Sequence, residues 1–464
     1  ITMFFCMNYF NKQFLSIFII IMNKLYQSNI INQYFLADCA MTIKRMAELG
    51  DQYSMFSYGK LLLNGTIFRL DKKEAAKYLK MSADLGNAEA SIRYGVMLYN
   101  GDGISTNKEE AVKYIKISAD NSNPEGLLMY GILLYNGEQI QANKQESAVY
   151  FKKSADLGNV QAIYQYAYML YNGEYVEHDK KKAAEYLKKG AEKGHNDSLF
   201  QYAYMLNHGD GIEKNVSESV RYYKTAADNG HVLSMLQYGI MVYEGVGIER
   251  NPIEGAKYVK KSADFGNEEA MYHYGLIKRQ GRGINIDINE SLIYIEKSAN
   301  KNFVPAMKLL ASFYYYGDGI SINKFKAAKW FKKLADLGFS NEMYQYGCML
   351  HNGEGVDVDM KEAANYLKKA SDKGNSYAMY AYAMMIYKGN GVDIDKKEAA
   401  RYVKMSIDKG NINALFCYAL LLFYGDGIEK NINEAFRYLN MAANNGDEKA
   451  KSILNGSSTF YNYS

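Results

Sequence analysis

Proline is nearly missing from this chain, with three in 464 residues. That excludes proline-rich linkers and favours long helical content. Cysteine is equally sparse: Cys6, Cys39, Cys348 and Cys417 show no C-x-x-C or other paired spacing. This excludes a disulfide framework and a cysteine-ligated zinc site, and fits reduced thiols. Charge is close to balance, 55 basic against 51 acidic residues for a net +4. No nucleic-acid footprint follows from so small an excess. The apolar run Phe14–Met22 has nine residues, too short to span a bilayer. Read from Met7 it has the outline of a signal peptide, but no small-residue cleavage site follows it. A cytoplasmic location is therefore expected, with the endoplasmic-reticulum lumen as the alternative if residues 7–27 act as a signal.

Catalytic groupings are also missing. The six histidines are scattered. Cys348 and His351 stand i, i+3, but no further ligand accompanies them. Turns such as Gly101-Asp102-Gly103 follow a helical pattern rather than a strand, unlike a nucleotide-binding loop. The chain is read as no enzyme, with no cofactor, metal or small-molecule substrate, and membrane association is not expected.

What is present is a repeat. A 36-residue unit recurs eleven times without insertion or deletion between Gln52 and Asp447. A strict period of this length marks a solenoid of small helical units. With the first residue of each unit as position 1, positions 3–13 carry apolar residues at helical spacing, forming helix A. Position 14 is Gly in all eleven, the residue for a left-handed helix end. Position 16 is Gly in eight; Ile67, Gln139 and Tyr175 depart, so turns that are distorted or differently packed are expected there. Position 20 is Asn or Asp throughout and position 23 is Glu in nine, an N-cap with a capping-box partner that starts helix B. Positions 7 and 27 are Tyr in ten units each, interrupted by Leu310 and Trp330. Fixed aromatics at this spacing read as core. Position 8 is only Gly or Ala and position 24 only Ala, Ser or Gly, which lets the two helices cross closely. Lys at position 29 and an acid at 33 read as a solvated ladder of i,i+4 pairs.

The Tyr-Gly/Ala step of helix A, the NGxG(I/V) turn, the Asx-x-x-Glu-Ala-x-x-Tyr start of helix B and the closing Ala-Asp-x-Gly-Asn together resemble the Sel-1-like repeat family of tetratricopeptide-like solenoids. The resemblance implies an all-α, right-handed α/α superhelical solenoid of eleven helix-turn-helix repeats with partial capping units. Residues 1–37 are left as a leader, either a signal or a degenerate helix. Residues 38–51 read as an N-terminal half-repeat, 52–447 as the repeats, and 448–464 as a capping helix and tail. The resemblance further implies scaffold or adaptor work: a protein or peptide partner held on the concave face, which helix A is expected to line. Two alternatives remain open, a lumenal adaptor in endoplasmic-reticulum quality control and the regulatory region of a larger signalling enzyme.

Function is sought where the units disagree. On helix A, positions 2, 6, 9 and 13 form one stripe of Gln, Tyr and Met with little charge, suited to a peptide or a partner helix. The candidate partner-binding set is Gln165, Tyr168, Gln201, Tyr204, His208, Gln237, His273, Tyr316 and Gln345. Arg279 joins it from the basic cluster Lys278, Arg279 and Arg282 in the seventh unit.

Overall fold

The structure is a computed structural model that describes residues 33–65, 67–282 and 284–456. The apolar run of the leader and the final tail lie outside these residues. Every regular element among the described residues is helical, and the chain is an all-α solenoid of helix pairs. It divides into two compact units, residues 1–241 with 245–249 and residues 242–244 with 250–464.

In the first unit, a helix at Gln33–Glu48 precedes the repeats and buries Ala40, Ile43 and Ala47. Repeat 1 follows as helix A, Gln52–Asn64, and helix B, Lys72–Asp84. The same pair recurs through Val160–Asn172 and Lys180–Glu192 in repeat 4, then Asn196–His208 and Val216–Asp228 in repeat 5. In the second unit the pairs run from Glu268–Gln280 and Ile288–Asn300 onward and end on a short helix at Glu448–Leu454. Helix A of repeat 11 differs: it opens with a 3-10 turn at Ile412–Ala414 before the α-helix Leu415–Tyr424.

Local rules explain why each of the other repeats makes two 13-residue helices. Helix A ends where Gly at position 14 turns left-handed, as at Gly389 with φ 72°. Helix B starts where the Asx side chain accepts from the backbone N–H three residues on, as Asp71 does from Glu74 at 2.9 Å. The glutamate does not complete a capping box. The backbone N–H of the Asx residue instead donates to the carbonyl at position 11 of helix A, as from Asn107 to Leu98 and from Asn431 to Leu422. At Asn107, Asn143, Asn215 and Asn251 the cap's amide donates to the glutamate, as Asn143 does to Glu146 at 2.9 Å.

The turns at Gln139 and Tyr175 keep an undistorted backbone, but the one at Tyr175 packs differently: its ring lies 6.3 Å from that of Tyr135 and its hydroxyl accepts from Lys144. Both residues adopt the left-handed conformation that glycine takes elsewhere, with φ of 60° and 61°. Ser122 and Asn302 do the same at the end of helix B. A non-glycine residue can hold this conformation at a cost when its surroundings fix it.

Packing follows the same register. The tyrosines of positions 7 and 27 meet edge to face, as Tyr58 and Tyr78 do at 4.8 Å and Tyr382 and Tyr402 at 5.1 Å. Such pairs contribute about 0.5–1.5 kcal/mol beyond the area they bury. Position 8 lies close against helix B: a Cβ on Gly347 would come 2.9 Å from the Leu367 side chain. Serine at position 31 reaches back to the first carbonyl of helix A, as Ser118 does to Ala88 at 2.7 Å. The ladder of positions 29 and 33 is more than a solvated face. Lys80 pairs with Asp84, and both bind the hydroxyl of Tyr114 in the next repeat. Tyr366 donates in the same way to Asp336 of the repeat before it.

Two glycine substitutions separate conformational strain from steric clash. Gly374→Ala has φ +87° and open space around its new Cβ, so only the left-handed strain remains. It should destabilise by about 1 kcal/mol. Gly391→Ala would place its Cβ 2.2 Å from the Met360 carbonyl oxygen. It should cost at least about 2 kcal/mol more than Gly374→Ala, read from urea unfolding midpoints.

Candidate functional site

Repeats 4, 5 and 6 place three helices A side by side, and a cleft of about 520 Å³ opens among them within the first unit. Helix A of repeat 4 contributes Tyr164, Tyr168 and Tyr171 to its walls; helix A of repeat 5 contributes Phe200, Gln201, Tyr204 and His208. Gln237 enters from repeat 6, while Leu187 and Tyr223 rise from the helices B below.

The cleft is aromatic and nearly neutral. Tyr168 and Tyr204 are exposed at its mouth. The Tyr204 ring lies 4.2 Å from that of His208, whose Nδ1 is 2.9 Å from the Tyr204 carbonyl oxygen. Burial raises the pKa of Tyr164 and Tyr223, so both phenols stay protonated. Charge gathers at one edge in a closed arrangement. Tyr171 donates to Asp210, which pairs with Lys180 at 2.6 Å, and Lys180 sits 4.9 Å from the centre of the Tyr171 ring. The hydrogen bond to Asp210 pushes the Tyr171 phenol up to about 12. Lys180 first, then Tyr171, holds the Asp210 carboxyl below its ordinary value. This clasp recurs in the second unit, where Tyr387 and Lys396 both reach Asp426. It gives the acidic residue of the GDG turn a structural role.

Five of the ten candidate residues line this one cleft: Tyr168, Gln201, Tyr204, His208 and Gln237. Gln165 is exposed on helix A of repeat 4 but is not part of the lining. The other four lie in the second unit. His273 packs on Tyr272 at 5.5 Å, and burial lowers its pKa. Tyr316 is exposed and meets Tyr315 edge to face. Gln345 is half-buried. Arg279 is engaged internally, paired with Asp318 and stacked 4.4 Å from the Phe313 ring centre. Lys278 pairs with Glu290 at 2.9 Å, so these two cations of the basic cluster have partners inside the protein. The sequence stripe missed Tyr164 and Phe200 at position 5 and Tyr223 at position 28. His195 and His231 act as N-caps of helix A through Nδ1. Among the described residues no group of three His, Cys, Asp or Glu could hold a metal ion, and no helix is long and apolar enough to cross a membrane.

Comparison with known proteins fits this geometry. Eleven successive segments match the Sel1 repeat, in register from 52–87 to 412–447, with the ninth matched over 343–375. The chain belongs to the Sel1 repeat family. Sel1 repeat folds are generally of the protein-interaction type. A protective antigen of uropathogenic Escherichia coli strains, described as displaying an SLR fold, superposes with a TM-score of 0.71 at 25% identity, covering 90% of this chain and 91% of the antigen. A Sel1 repeat protein from Oxalobacter formigenes superposes with a TM-score of 0.53 at 23% identity, covering 65% of this chain and 87% of that one. No curated protein sequence matches the chain.

The clasp makes stability depend on acid in a defined direction. Asp210 is held below its ordinary value in the folded Sel1 repeats, so its contribution is fully present above the unfolded value near pH 4. It is lost as pH falls through the lower folded value. Asp210→Asn should lower stability at pH 7 by about 1 kcal/mol or less. The difference from wild type should shrink as urea unfolding is repeated toward about pH 2.

Proposed function

We propose that this chain is a non-enzymatic interaction scaffold, and that the cleft among helices A of repeats 4–6 receives an extended segment of a partner protein. The observation that carries this reading is the placement of Tyr168, Gln201, Tyr204 and Gln237 together in one neutral cleft. Each stands at a helix position whose residue type varies among the repeats. Planar amides can pair with the backbone of an extended peptide, and tyrosines supply large rigid contact area at little entropic cost. A cleft with few charges suits the core of an interface, where charged residues are depleted. The unbridged cysteines Cys39, Cys348 and Cys417 support a reducing, cytoplasmic setting.

The double variant Gln201→Ala, Tyr204→Ala tests this reading against Lys188→Ala on helix B. Proteins captured by wild type and cross-linked to repeats 4–6 should bind the double variant at least about tenfold more weakly, and Lys188→Ala as tightly as wild type. Equal capture by all three, read by quantitative mass spectrometry, sinks the proposal.

A further inference from the structure

Position 28 lies on the buried side of helix B. It is apolar in ten repeats, from Leu79 to Leu439, and is tyrosine only in repeat 5. That tyrosine, Tyr223, is 1% exposed. Its ring packs on Phe200 at 5.7 Å, as an apolar residue there would. Its hydroxyl has no hydrogen-bond partner among the described residues, although the side chain forms part of the cleft lining. The hydroxyl opens onto the floor of the cleft proposed above for a partner segment. A guest that covered it without pairing would cost free energy.

The surroundings define what could satisfy the hydroxyl. Lys180 and Asp210 already neutralise one another at the edge, and the Tyr171 ring already carries a cation. A charged group inserted here would be desolvated with no free counter-ion in the lining, which is unfavourable. A purely aliphatic group would leave the Tyr223 hydroxyl unpaired. The rings of Tyr164, Tyr168, Phe200 and Tyr204 favour an aromatic guest, which gains from edge-to-face contact.

We infer that Tyr223 is the specificity-determining residue of the cleft, reading an aromatic side chain with a neutral hydrogen-bonding tip, a tyrosine or tryptophan of the partner segment. This rests on the peptide-binding reading. The anchor inserts between the helices A of repeats 4 and 5, its tip meets the Tyr223 hydroxyl, and Gln201 and Gln237 hold the backbone on either side.

A phage-displayed random peptide library selected on the full chain supplies the probe, and the most enriched peptide is then synthesised. Enriched sequences should share a tyrosine or tryptophan. Tyr223→Phe should weaken binding by calorimetry about tenfold. Its thermal midpoint should stay at or above that of wild type, because no internal hydrogen bond is lost. Replacing the peptide's aromatic residue by leucine should weaken binding to wild type far more than to Tyr223→Phe. Three results overturn the inference while the peptide site stands: binding lost on Tyr204→Ala but unchanged on Tyr223→Phe, enriched peptides with no common aromatic, or a lowered midpoint for Tyr223→Phe. A library that enriches nothing, or peptides indifferent to Gln201→Ala and Tyr204→Ala, overturns the peptide site and this inference together.

Discussion

One backbone hydrogen bond closes each repeat. The N–H of the Asx residue that caps helix B donates to the carbonyl at position 11 of helix A, in every repeat from Asp71 with Leu62 to Asn431 with Leu422. That N–H cannot serve its own helix, and the carbonyl lies in the last turn of helix A, where intrahelical partners run out. Pairing them satisfies both and sets the angle at which helix B returns. The left-handed glycine at position 14, the tyrosine pair and the serine bond to the first carbonyl all need that angle. The Asx of position 20 therefore does two things: its side chain caps helix B, which selects Asn or Asp, and its backbone N–H, which any residue but proline would supply, ties helix B to helix A.

The helices, their ends and their packing could be read from the sequence because each is enforced eleven times. A rule that one repeat breaks is still visible in the other ten. The same redundancy sets the backbone at Gln139 and Tyr175. Loss of glycine suggested a changed turn, yet the flanking helices are fixed well enough to hold both residues left-handed. The glutamate of position 23 was expected to seek the Asx backbone, a donor already taken by helix A. The partner of that donor is distant in sequence and no local motif reveals it.

The cleft was half legible. Variable positions on one helical stripe pointed to Tyr168, Gln201, Tyr204, His208 and Gln237, which the fold brings together. The stripe could not show that Phe200 and Tyr223 turn toward the same space, because their positions belong to the packing face in other repeats. Tyr223 carried a signal nonetheless: a single polar group in a column of apolar ones. Arg279 shows the opposite error, a charge that looks available in the sequence and is paired with Asp318 in the fold.

The unbroken 36-residue register has a consequence for how such a chain changes over generations. Any two copies can recombine at equivalent codons, and the product still closes every hairpin, because the joining bond uses positions common to all. Whole units can be gained or lost at little risk to folding. A cleft built from three neighbouring copies has no such protection: one crossover within repeats 4–6 separates Tyr168 from Gln237. The architecture is robust to an event that takes this cleft apart, so folding alone does not keep these three copies in order.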